Sequence, residues 1–265
     1  MSKAYNEMSY VEVAAIYNDI NKIPQAAAED LGRSVAAIIG EGKQILDLGA
    51  GAGRISVPIA ANTDMIAIDI EHHMQKASRK LAAERKIPIT NSVGTILKLP
   101  FADNTFDAVI TCNVLHQIDC WRCALREAQR VLKPGGQFII GRDVLDAESI
   151  ASKLRMASRI MTAGINPDMM PTDAAGPALH EFIKKLGGTI GEETTACEWT
   201  EVASGRDILE KMQNRIHNET WSLDTETLTE LMAEITPWAE EEFDNLDQPE
   251  TIQWQFGLMT VTGMA

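Results

Sequence analysis

Residues 45–54 read Ile45-Leu46-Asp47-Leu48-Gly49-Ala50-Gly51-Ala52-Gly53-Arg54, a short apolar run that breaks into alternate glycines. An apolar run of this length closed by glycine is a buried strand entering a tight turn, with a helix expected after it. Glycines lack a Cβ, so a ligand can lie against the backbone at the carboxyl end of the strand. Spacing narrows the choice of ligand. Dinucleotide sites favour Gly-x-Gly-x-x-Gly, which sets a pyrophosphate on the helix N-terminus. Here the pattern is Gly-x-Gly-x-Gly, and Arg54 stands where the last dinucleotide glycine would be. A bulky side chain there crowds the helix against the strand. Taken alone, the stretch also fits an ordinary glycine-rich turn.

Asp69 adds weight to a ligand site. It ends a second apolar stretch, Met65–Ile70, 20 residues beyond Gly49, a gap that fits one β-α-β unit. A carboxylate there can accept hydrogen bonds from both hydroxyls of a ribose. The plain alternative is a helix N-cap.

Outward from this pair, the apolar pattern predicts a helix over 25–40, ended by Gly40 and Gly42, and a solvated helix over 72–86. A weak strand is expected near 87–93, a turn over 99–104 and a clear strand over Phe106–Cys112. A helix over 120–132, a turn at Pro134-Gly135-Gly136 and a strand over Gln137–Gly141 follow. Nearly continuous apolar strands alternating with helices imply parallel strands covered on both faces, a doubly wound α/β sheet. Beyond Arg142 the rhythm changes: helices over 147–163 and 174–187, a strand over 189–202, helices over 205–218 and 225–243, and a last β-rich run, Ile252–Thr262. With no Pro/Ser linker, the expectation is one domain over 1–265. Its parts are N-terminal helices (1–43), a cofactor-binding core (44–143), and substrate-side helices with the final strands (144–265).

Charge limits the partners. The chain carries 24 Lys and Arg against 38 Asp and Glu, a net charge of −14. A surface gripping nucleic-acid phosphates gathers basic residues, so no nucleic-acid partner is expected. An anionic surface also disfavours acidic membranes. No apolar run approaches the roughly 20 residues that span a bilayer. The N-terminus lacks a secretory pattern, which makes the cytoplasm the default compartment. Four cysteines make no disulfide scaffold in a chain this long. Cys120-x-x-Cys123 invites a metal or arsenic site together with Cys112, but no second motif completes a tetrahedron. At a helix start, cysteine is more simply a small half-buried residue, and no metal is expected.

Read in order, ILDLGAGAGR, AIDI, LPFADNTFDAVIT, NVLHQI and EAQRVLKPGG resemble the motif series of class I S-adenosylmethionine-dependent methyltransferases. The group is the one called methyltransferase type 11, also likened to quinone-biosynthesis methyltransferases. The motif-dense likeness covers 45–143. A weaker one includes Tyr17-Asn18-Asp19, placed before the first helix, and the aromatic-rich C-terminal strand.

The resemblance implies a mostly parallel seven-stranded sheet, with C-terminal helices forming a lid. It implies S-adenosylmethionine as cofactor and a small-molecule acceptor. Asp47 matches the acid at the methionine end, and Gly49, Ala50, Gly51 and Gly53 the turn that faces the cofactor. Asp69 matches the ribose-binding acid and Ile70 the apolar residue flanking the adenine. Thr95 and Ile96 fall at the adenine-contacting pair, where Thr95 replaces the usual Asp. Asn113 falls at the amino and carboxylate ends of the cofactor, and Tyr17 joins this set. Arg54 is open to two roles, reaching a carboxylate or capping the turn.

A sulfonium methyl is already activated, so in-line displacement needs a nucleophile held close and aligned. His116 is expected at the pocket mouth, as a general base, a polar wall, or simply a packed histidine. Arg142 and Asp143 follow the fifth strand, to bind an acceptor carboxylate or to pair with each other. Met156, Met161, Met169, Met170 and Met212 suit either a soft lid or plain core, and Arg215 and Trp221 are further lid candidates. Two other readings compete: a non-catalytic adenosyl-binding subunit, and a nucleotide-dependent oxidoreductase, which the glycine spacing opposes.

Overall fold

A computed structural model describes residues 10–169, 172–174, 176–217, 219–221 and 223–264. In chain order its elements are α1 (Tyr10–Ile20), α2 (Gln25–Ile39), β1 (Gln44–Leu48), α3 (Ser56–Ala60), β2 (Asp64–Asp69), α4 (His72–Arg85), β3 (Thr90–Val93) and β4 (Phe106–Cys112). Then come α5 (Trp121–Val131), β5 (Leu132–Leu145), α6 (Ile150–Ile165), α7 (Gly176–Lys185), β6 (Thr189–Ala203), α8 (Gly205–Gln213), α9 (Thr225–Glu242) and β7 (Glu250–Thr262). The seven strands lie in the order β3-β2-β1-β4-β5-β7-β6. The pairings β2–β3, β1–β2, β1–β4 and β4–β5 are all parallel.

The residues fall into two compact units. One comprises Ala14–Asp143, Pro171–Glu198 and Gln255–Ala265; the other comprises Met1–Val13, Val144–Met170 and Trp199–Trp254. In the first unit, β1 and β4 run as almost unbroken buried apolar segments, as a strand covered on both faces must. The chain leaves β1 toward β2 and β3 on one side, and β4 and β5 lie on the other. This reversal makes the carboxyl ends of β1 and β4 a crevice where α/β sheets seat ligands. Helix α5 buries Trp121, Ala124, Leu125, Ala128 and Val131, one stripe at helical spacing, against a core that includes Phe106, Val109 and Phe138.

In the second unit, α6, α8 and α9 close their own core from Leu154, Ile208, Leu209, Leu231 and Ile235. Met212 belongs to that core, Met161 packs at its edge, and Met156 is exposed. Met170 lies outside the described residues, and only the backbone of Met169 is described. Arg215 donates to Thr225 Oγ1 at 3.2 Å and to the Leu223 carbonyl, so it is engaged within its own unit. Trp221 is half-buried.

Two readings of the sequence need correction. Tyr17 does not precede the first helix; it sits inside α1, whose apolar residues are spread round the helix and leave no clear stripe. Pro134-Gly135-Gly136 is not a turn between elements but lies within β5. Phe106 pairs with Leu132 and Ala108 with Gln137, so the extra residues bulge out of the ladder. Pro134 cannot donate to that ladder and Gly135 has φ 76°, which is why the bulge forms there. Among the described residues, no helix is long and apolar enough to cross a membrane.

Candidate functional site

The site grows from the turn after β1. Gly49 (φ 76°) and Gly51 (φ 53°) hold the chain in the left-handed region, where a Cβ is costly. A Cβ on Gly49 would fall 2.6 Å from Val114 Cγ2, whereas one on Gly51 would point into open space. Gly49 is therefore glycine for packing, and Gly51 for a backbone shape that leaves room above it.

Four N–H donors of this turn are engaged internally. The N–H groups of Gly49 and Ala50 donate to the Ile68 carbonyl at 2.9 and 3.0 Å. Gly53 N donates to the Ala50 carbonyl at 3.1 Å, and Gly51 N to Asp69 Oδ2 at 2.8 Å. Acceptors, by contrast, are in surplus. Asp47 is 1% exposed; its Oδ2 accepts from Ser56 Oγ at 2.5 Å, and its Oδ1 is buried with no donor. Burial, with the Ser56 hydrogen bond opposing it and the Asp69 charge adding to it, raises the Asp47 carboxyl to about 7. Asp69 takes one backbone N–H on each oxygen, from Gly51 and Glu71, both at 2.8 Å. Each oxygen keeps a further lone pair. Burial also raises the Asp69 carboxyl, against the pull of those N–H groups. The N-cap of α4 is Glu71, which accepts from His73 N, so Asp69 does not cap that helix.

A second layer ties strand ends together. Arg54 grips Asp143 with two hydrogen bonds, 2.9 and 2.7 Å, with both side chains nearly buried. Asn113, in the left-handed region at φ 54°, donates to the same carboxylate at 2.9 Å. Arg142 turns instead to Glu193, at 2.9 and 2.7 Å, so the expected pairing of Arg142 with Asp143 does not occur. Tyr17 is half-buried, and desolvation raises its hydroxyl above the ordinary value, with Arg54, Asp143 and Asp69 all within electrostatic reach. Ile70 is exposed beside Asp69, while Ile96 is buried. Thr95 Oγ1 accepts from Leu97 N at 3.2 Å, which leaves its hydroxyl proton free to donate. His116 stands on a 3-10 turn, Leu115–Gln117, whose carbonyl at His116 accepts from Thr172 N at 2.8 Å.

Sequence reasoning missed Ser56 and Asn18. Ser56 fixes one oxygen of Asp47, and Asn18 Nδ2 donates to the Ala52 carbonyl at 2.9 Å. Ser56 belongs to no recognisable pattern, and Asn18 entered only through the Tyr17-Asn18-Asp19 likeness with no role of its own, because its partner Ala52 is distant in the chain. Cys120 and Cys123 are joined in a disulfide, and Cys112 is a separate free thiol, so the three do not gather as a soft-metal trio.

Comparison with known proteins agrees with this geometry. Residues 46–140 match the family model described as a methyltransferase domain. A demethylmenaquinone methyltransferase of Renibacterium salmoninarum is 32% identical over 151 residues, 53% of this chain and 62% of that protein. The demethylmenaquinone methyltransferase of Clavibacter sepedonicus is 26% identical over 77% of this chain and 84% of its own length. A Bacillus halodurans protein assigned as a methyltransferase superposes with a TM-score of 0.58 at 16% identity, covering 88% of this chain and 98% of that one. Fold and turn together define a Rossmann-like class I methyltransferase domain. Over residues 46–140 the chain resembles the methyltransferase-domain family, and its fold is that of the class I methyltransferases.

Proposed function

We propose that the protein transfers a methyl group from S-adenosylmethionine to a small-molecule acceptor, chiefly by holding the two in line. One observation carries this reading: four N–H groups of the turn after β1, those of Gly49, Ala50, Gly51 and Gly53, are engaged within the protein, while Asp47 and Asp69 keep acceptor capacity. A pyrophosphate needs donors and would face Asp47 and Asp69, two carboxylates. An adenosyl cofactor brings an ammonium and two ribose hydroxyls, which are donors, and so fits the groups present. When bound, S-adenosylmethionine supplies an already activated methyl on sulfur.

The chain's residues then bind and orient. Asp47 Oδ1 takes the ammonium, and Asp69 takes the ribose hydroxyls through its spare lone pairs. Gly51 leaves space for the chain between them. Ile70, Ile96 and Thr95 meet the adenine, with Thr95 acting as a donor. Asp143 is already held by Arg54 and Asn113, so it braces the strand ends rather than binding an acceptor. Arg142 is held likewise by Glu193. His116 serves as a polar wall beside the acceptor, and positioning does the rest. The printed names of the relatives make a demethylmenaquinone-type acceptor the first compound to test.

Calorimetry on the full chain tests the reading. S-adenosylmethionine and S-adenosylhomocysteine should bind, and NAD should bind far more weakly. NAD binding without a response to either adenosyl compound would overturn it. Turnover of a labelled methyl donor with a demethylmenaquinone analogue then addresses the acceptor.

A further inference from the structure

Asn18 lies in the second half of α1 and reaches the glycine turn. Its Nδ2 donates to the Ala52 carbonyl at 2.9 Å. A carbonyl can only accept, so the amide nitrogen must face Ala52, and the amide oxygen is thereby fixed on the other side. That oxygen, Asn18 Oδ1, is buried and has no donor. Buried amide oxygens are rarely left without a partner.

A second oxygen in the same condition lies at the carboxyl end of β1, where the turn begins. Asp47 Oδ1 is also buried without a donor, while its other oxygen is held by Ser56, four residues beyond Ala52. The neighbouring Tyr17 feels Arg54, Asp69, Cys112 and Asp143, residues at the ends of β1, β2, β4 and β5. This half of α1 therefore lies by the carboxyl edge of the sheet, over the turn that has four of its own N–H groups engaged. A surplus of acceptors, one of them anionic, suits a ligand group with several donors and a positive charge. A primary ammonium has three N–H donors on one cationic centre.

We propose that Asn18 Oδ1 accepts a hydrogen bond from the α-ammonium of the cofactor's methionyl part. Together with Asp47, it selects a cofactor that carries that amino group. The inference rests on the S-adenosylmethionine reading above and names a contact within it. It also explains why α1 is pinned to Ala52. One amide holds the turn with its nitrogen and reads the cofactor with its oxygen.

The test is a cycle of ligands and variants on the full chain, read by calorimetry. The ligands are S-adenosylhomocysteine and its analogue with the α-amino group replaced by hydrogen. Asn18→Ala should weaken S-adenosylhomocysteine about tenfold or more, the worth of a hydrogen bond to a charged group. The des-amino analogue should then change by less than about twofold, since its binding never used that bond. Equal losses for both ligands would show that Asn18 acts only by holding Ala52, and would overturn the proposal. Asn18→Asp supplies an independent arm, because it keeps an acceptor and loses the donor to Ala52. Even if both ligands weaken, its preference for the amino form should equal or exceed that of the wild type. A preference lost in Asn18→Asp as in Asn18→Ala would also overturn it. Wild-type protein that ignores S-adenosylhomocysteine altogether would sink the cofactor reading itself. Wild-type binding with equal losses would sink only the role of Asn18.

Discussion

The molecule treats its buried acids in two opposite ways, and Glu219 and Asp47 show the difference. In the helical unit, Glu219 is 12% exposed and fully engaged. Arg155 donates to its Oε1 at 3.0 Å, and Arg159 donates to Oε2 at 2.9 Å and to Oε1 at 3.1 Å. Burial pushes this carboxyl upward, yet the two guanidinium groups outweigh it and hold it below the ordinary value. In the sheet unit, Asp47 is buried and Asp69 half-buried, with neutral donors only among their hydrogen bonds, and desolvation wins. Saturated acids are architecture. Acids that keep spare lone pairs and lack a cation carry a cost in stability that a purely structural site would not retain.

The largest expected effect comes from breaking the saturated side. Glu219→Gln leaves two arginines without their counter-charge, Arg155 of them partly buried. Loss of one partner from a buried ionic cluster costs about 3 kcal/mol, read as a lower denaturation midpoint in urea. A change below about 1 kcal/mol would mean that Glu219 is no more than a surface acid.

A smaller effect is expected on the open side, and on binding rather than folding. Asp69→Ala should weaken S-adenosylhomocysteine by about 1–3 kcal/mol, because two ribose hydroxyls lose a charged acceptor. Binding at the wild-type level would remove the ribose role and leave Asp69 as a brace for Gly51 and Glu71.

The smallest effect sharpens the contrast most. The Asp47 carboxyl stands near 7 in the folded, ligand-free chain, against an ordinary value of 3.8. The folded chain therefore keeps a proton over that interval, where the unfolded chain has already shed it. Stability contributed by this group falls as pH rises through the window and is gone above about 7. An ammonium favours the ionised form, so cofactor binding releases the proton. Affinity for S-adenosylhomocysteine should then rise about tenfold from pH 6 to pH 8, and Asp47→Asn should flatten the profile. An equally steep profile in Asp47→Asn would assign the titration to another group.

The legibility of this protein in its sequence followed the range of the interactions. Strands β1 and β4 were readable to the residue, because a strand covered on both faces must be apolar throughout. Helix α1 escaped notice, since its apolar residues lie on all sides and give no helical period to read. The glycines, Asp47 and Asp69 were readable because one β-α-β unit fixes their spacing along the chain.

What the sequence by itself determined is therefore the doubly wound sheet, the glycine turn at its switch point and the acids that flank it. Local periodicity and short-range backbone geometry decide these. Only the tertiary structure decided that Arg54 closes on Asp143 from 89 residues away, and that Arg142 turns to Glu193. It alone shows four of the turn's N–H groups consumed at home while Asp47 and Asn18 each keep a buried oxygen unpaired. Such pairings depend on which strand ends and helix ends meet, and no pattern of neighbours along the chain encodes that.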